Sequence, residues 1–107
     1  MKHDISQLPT LSAKEAVVLQ LLVSANEMYG LELVAASNRR LKRGTVYVTL
    51  GRMEEKGYVT SRREDHTPDR RNAGSPVRRL YQATALGRRV RRVWAEATRH
   101  LRPEFAR

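Results

Sequence analysis

The stretch Leu11-Ser12-Ala13-Lys14-Glu15, followed by Ala16-Val17-Val18-Leu19-Gln20-Leu21-Leu22-Val23, reads as the start of a helix whose body is apolar on most sides. Ser12 and Glu15 have capping-box spacing, and Leu11 with Ala16 can form a hydrophobic staple. The helix therefore starts at about Ser12 and should end near Ser24 to Asn26. Apolarity on most sides suits a helix buried in a core or shared with a second subunit. Met28-Tyr29-Gly30 is read as a short connector to a second helix of about two turns, Leu31 to Ser37. A basic turn, residues 38–44, precedes a third helix from Thr45 to Lys56 that Gly57 closes. At 100° per residue, Val46, Leu50 and Met53 share one face of it. The opposite face carries Tyr47, Val48, Gly51, Arg52 and Glu55, with Thr45 at its edge.

After Gly57 the period shortens. Tyr58 to Ser61 and Val77 to Ala83 are β-prone, and between them Arg62 to Pro76 is rich in Arg, Asp, Pro and Gly, as in a hairpin with a long, polar, mobile tip. Thr84 caps a last helix in which Leu86, Val90, Val93, Trp94, Ala97 and Leu101 form an amphipathic stripe that Pro103 terminates. Its other face holds Arg88, Arg89, Arg91, Arg92 and Arg99. Three helices, a hairpin and a long helix predict a mainly α fold with a small β-hairpin, a winged helix-turn-helix.

Charge narrows the class of partner. The 107 residues hold 21 Lys and Arg against 11 Asp and Glu, a net of +10, and no cysteine. Two lysines against four acids leave residues 1–37 at −2, so residues 38–107 carry +12. An excess of this size points to a polyanion, with nucleic acid ahead of anionic lipid. The absence of cysteine excludes a disulfide framework and a thiolate nucleophile, and a reducing cytoplasm is the expected compartment. No signal peptide or membrane span is legible. His3, His66 and His100 lack neighbours at ligand spacing, and none of the six glycines forms a phosphate-binding loop, so neither an enzyme, a metal site nor a cofactor is expected.

Four motifs in order carry a family resemblance. They are Leu11-Ser12-x-x-Glu15-Ala16-x-Val18-Leu19-x-Leu21-Leu22, then Met28-Tyr29-Gly30-x-Glu32-Leu33, then Gly44-Thr45-Val46-Tyr47-x-x-Leu50-x-Arg52-Met53-Glu54-x-x-Gly57-Tyr58-Val59, and Arg78-Arg79-x-Tyr81-x-x-Thr84-x-x-Gly87. Over about residues 11–90 the chain resembles the PadR family of bacterial transcriptional regulators, in its short branch. The resemblance implies a winged-helix homodimer on a palindromic operator, usually a repressor, often responsive to a small aromatic or drug-like effector, with the C-terminal helix making the dimer. On that reading residues 1–10 are a tail, 11–83 the DNA-binding domain, 84–102 the dimerisation helix and 103–107 a second tail. Val48 stands where the family commonly has proline, and the hairpin tip is longer and more polar than typical.

The expected DNA-binding residues follow from both lines of reasoning. Thr45, Tyr47, Val48 and Arg52 offer a hydroxyl, a phenol, a methyl-contacting side chain and a guanidinium to the major groove. The plainer alternative has Tyr47 packed on the first helix and Arg52 merely solvated. Arg39, Arg40, Lys42 and Arg43 in the turn are expected near flanking phosphates, and Arg62, Arg63, Arg78 and Arg79 in the wing near phosphates or a narrow minor groove. Arg70 and Arg71 are further wing candidates. Val90, Val93, Trp94, Ala97 and Leu101 are expected at a dimer interface or effector pocket, with Trp94 favouring dimer core. A basic winged-helix module that binds RNA or a protein partner without reading sequence is the competing function.

Overall fold

The capping box read from Ser12 and Glu15 is formed in the computed structural model, which describes residues 11–64 and 78–99. The Ser12 hydroxyl accepts the Glu15 N–H at 3.1 Å, and the Glu15 carboxylate accepts the Ser12 N–H at 3.0 Å. Helix α1 (Ala13–Ala25) follows, with Val18, Leu19 and Leu22 wholly buried. Glu15 is buried too, and Lys56 Nζ meets its carboxylate at 2.8 Å.

Met28 and Tyr29 form a strand, β1 (Met28–Tyr29), where the sequence suggested only a connector. It pairs antiparallel with β3 (Arg79–Ala83) through Met28↔Tyr81 and Tyr29↔Leu80. β2 (Val59–Arg63) flanks β3 on its other side, with Val59 opposite Ala83 and Arg63 opposite Arg79. The expected hairpin is thus one part of a three-stranded sheet in the order β1-β3-β2. A two-residue strand has no period of its own, and its backbone groups are satisfied by a partner far along the chain.

Helix α2 (Gly30–Ala36) leads into a tight turn. The buried Ser37 hydroxyl donates to the Val34 carbonyl at 2.8 Å and accepts the Leu41 N–H at 2.9 Å. Asn38 and Arg39 are both left-handed there, at φ 56° and 71°. Helix α3 (Val46–Glu55) then buries Val46, Leu50 and Met53, as the period predicts. Thr49 joins that face, its hydroxyl directed at the Thr45 carbonyl at 3.3 Å.

Helix α4 (Ala85–Arg99) is capped by Thr84, whose hydroxyl accepts the Gly87 N–H at 2.9 Å and donates to the Gly57 carbonyl at 2.6 Å. A β-carbon on Gly87 would lie 2.0 Å from the Tyr58 carbonyl oxygen, so the helix docks here only because residue 87 has no side chain. The apolar stripe divides. Val90 enters the core and Trp94 is half-buried against it, whereas Leu86, Val93 and Ala97 are exposed along one flank. The tails, the hairpin tip with Arg70 and Arg71, Leu101 and Pro103 lie outside the described residues.

Candidate nucleic-acid interface

With one face of α3 sealed in the core, the other stands outward by default of helical geometry. Tyr47 and Val48, neighbours in sequence on this outward side, keep 50% and 55% of their surface exposed. Arg52, one turn after Val48, is exposed and has no ionic or hydrogen-bond partner among the described residues. Thr45 precedes the helix as its cap residue and is exposed as well. These four sequence-selected residues therefore occupy one continuous surface. Tyr47 packs against Gly30 at the start of α2, with its ring over the glycine.

The wing is coupled to α3 through side chains. Glu54, near the end of α3, accepts the Ser61 hydroxyl at 2.7 Å, and Ser61 Oγ in turn accepts Arg79 Nη1 at 3.2 Å. Arg62 is engaged elsewhere: its Nε and Nη2 fork onto the two carboxylate oxygens of Glu27, each at 3.0 Å. That pairing holds the Arg62 pKa above its ordinary value. The Tyr29 hydroxyl donates to Glu64, and the Arg78 guanidinium lies 5.3 Å from the centre of the Tyr29 ring. The hydrogen bond to Glu64, together with partial burial, raises the Tyr29 pKa.

The wing arginines expected at DNA therefore differ in what they can offer. Arg62 fastens β2 to Glu27 just before β1, Arg78 lies against Tyr29 of β1 and Arg79 bonds Ser61 of β2, while Arg63 is exposed without a partner among the described residues. Glu27 and Tyr29 were not singled out from the sequence, because an ion pair across sheet strands leaves no mark in local spacing.

The turn cations also divide. Arg39 and Lys42 border a shallow depression beside Val34 and Ala35 of α2, and Arg43 is exposed. Arg40 faces the other way, into a groove of about 730 Å³ between α1 and α4. Trp94 and Ala95 form one wall of that groove and Ala16 and Val17 the other, with Lys14 and Arg91 at its margins. Of the described stripe residues on α4, Trp94 alone lines it; Val90, Val93 and Ala97 do not.

Among the described residues no group of three His, Cys, Asp or Glu side chains is arranged to hold a metal ion, and no helix is long and apolar enough to cross a membrane.

The model of the transcriptional regulator PadR-like family matches residues 18–93. Among solved structures, a PadR family transcription regulator from Clostridium difficile R20291 superposes with a TM-score of 0.69 at 22% identity, over 84% of this chain and 91% of that one. One from Eggerthella lenta DSM 2243 gives 0.62 at 29% identity, over 81% and 71%. NadR in complex with 4-hydroxyphenylacetate gives 0.61 at 18% identity, over 85% of this chain and 58% of that one. No curated protein sequence matches the chain.

Proposed function

Because the chain belongs to the PadR-like family of transcriptional regulators, and so is a DNA-binding regulator and not an enzyme, we propose that it acts in the cytoplasm as a homodimeric repressor that reads a palindromic operator with α3. The observation that carries this reading is the outward face of α3, where Tyr47, Val48 and Arg52 stand exposed on a helix anchored by its buried side. The exposure of Tyr47 and Val48 beside Thr45 and Arg52 leaves a phenol, a methyl-bearing side chain, a hydroxyl and a guanidinium free on one side of a helix, the set of groups that base edges and phosphates accept. Arg52 can fork onto a guanine edge and Val48 can touch a thymine methyl group. In a dimer, two such helices enter successive major grooves about 34 Å apart.

The dimer reading is supported by the flank of α4. Leu86 and Val93 are exposed at 43% and 37%, and Ala97 continues the strip. A second copy burying this strip against its own would remove apolar surface that the single chain leaves wet. An effector reading is supported by the Trp94 groove, whose apolar walls and indole suit a small aromatic molecule. Arg40 borders that groove and lies shortly before α3, so a ligand there would act on the segment that aims the recognition helix.

Selection of bound sequences from a pool of random duplexes, with the molar mass of the free protein measured in parallel, tests the reading. A palindrome with half-sites one helical turn apart and a mass of two chains are expected. A flat sequence profile, or equal retention of single-stranded RNA, would contradict it in favour of a module without sequence readout.

A further inference from the structure

Lys14 lies in the acidic third of the sequence, away from the turn and wing where the charge excess falls, yet folding brings it beside the recognition helix. A groove of about 500 Å³ runs between the first turn of α1 and the flank of α3. Its lining includes Ser12, Lys14, Thr45, Val48 and Arg52. We propose that Lys14 is a further DNA-backbone contact, which with Arg52 and the Thr45 hydroxyl grips the phosphate strand running along this edge of α3. The inference rests on the reading of α3 as the DNA-binding helix.

Three observations carry it. The first is charge. Lys14 and Arg52 are both exposed and have no ionic partner among the described residues. Among the described residues Glu15 is the only acid in the lining, and it is already engaged by Lys56 at 2.8 Å and by the Ser12 N–H at 3.0 Å. Among the described residues the groove thus presents two cations with no acid left to neutralise them.

The second is position. A helix seated in a major groove about 12 Å wide has a phosphate strand on either side of it. On one flank of α3 the protein beside it is the wing, tied on through Glu54, Ser61 and Arg79. On the other it is the first turn of α1, where Lys14 stands.

The third is rigidity. The Ser12–Glu15 capping box and the Glu15–Lys56 pair lock that first turn to the end of α3, so the lysine stem starts from a fixed point relative to the recognition face. A compact ammonium on a flexible stem suits a phosphate oxygen and carries no sequence preference.

The test compares the full chain with Lys14→Ala and Lys14→Arg by fluorescence anisotropy, on the selected operator and on a scrambled duplex over a range of salt. Lys14→Ala should weaken both complexes alike, by about three- to tenfold, and lower the salt slope by about 0.9, the change expected for one phosphate contact. Lys14→Arg should restore most of both. The alanine variant should melt no lower than wild type, since it removes a cation near a helix N-terminus. Wild-type affinity and slope in Lys14→Ala, with Arg52→Ala still impaired, would overturn the inference and leave the α3 reading intact. Failure of the wild-type chain to bind any duplex would overturn both.

Discussion

The Tyr47 ring lies over Gly30 so closely that a β-carbon on residue 30 would stand 2.6 Å from Cε1 and 2.8 Å from the hydroxyl. The glycine that opens α2 thereby sets the direction of a side chain on α3. Gly30→Ala should push the half-exposed ring outward at little cost, changing stability by no more than about 1 kcal/mol because alanine is the better helix former. Operator affinity should fall about tenfold as the phenol leaves its place. Thermal unfolding and a binding titration on the same preparation separate the two effects; unchanged affinity would mean that the orientation of Tyr47 is not used.

Gly87 is a different case, because the obstacle is backbone. A methyl group 2.0 Å from the Tyr58 carbonyl oxygen has nowhere to go, and the same carbonyl accepts the Thr84 N–H at 3.0 Å. Gly87→Ala should therefore lift the start of α4 and destabilise the chain by about 3 kcal/mol in urea unfolding. A loss below about 0.5 kcal/mol would contradict the close docking of α4 on the wing base.

Arg39 holds a left-handed backbone at φ 71°, which costs an L-residue with a β-carbon about 1 kcal/mol. Arg39→Gly should be more stable than Arg39→Ala by about that amount. Both variants lose the same cation, so their DNA affinities should drop together. A difference in affinity between them would assign the effect to turn geometry and not to charge.

Glu15 links stability to pH. Burial pushes its carboxyl pKa up, but the bond from Lys56 and the Ser12 N–H outweigh burial and hold it below the ordinary 4.5. A depressed folded-state pKa contributes stability that is fully present above the ordinary value and is lost as pH falls through the lower, folded-state one. Glu15→Gln should therefore be less stable than wild type at pH 7, by about 1 kcal/mol given the exposed Lys56 end. The gap should close in acid below the folded-state pKa. A gap independent of pH would show that the carboxylate charge is not what stabilises this corner.

Much of this architecture was legible residue by residue. The Ser12–Glu15 box, the buried Val46–Leu50–Met53 face and the Thr84 cap follow from spacing, since each depends on groups within a turn or two of one another. Strand β1 did not show, because two residues carry no period and their partners sit on β3. Thr49 lies just past Met53 at the edge of the buried face on the helical wheel, but a count of apolar residues passes over a threonine. The roles of Glu27 and Tyr29 in holding Arg62, Glu64 and Arg78 depend on strand neighbours that only the fold brings together. The charge excess likewise drew attention to the turn and wing, while Lys14 comes beside α3 only through the packing of α1 on α3.

If the outward face of α3 reads DNA sequence, its side chains must leave a mark on the operator that the protein selects. Repeating the duplex selection with Arg52→Ala and Tyr47→Ala beside wild type tests it most directly, with molar mass checked for each. Each variant should keep the wild-type mass but lose information at symmetric positions of both half-sites. Recovery of the same operator, at the same affinity, by both variants would contradict it.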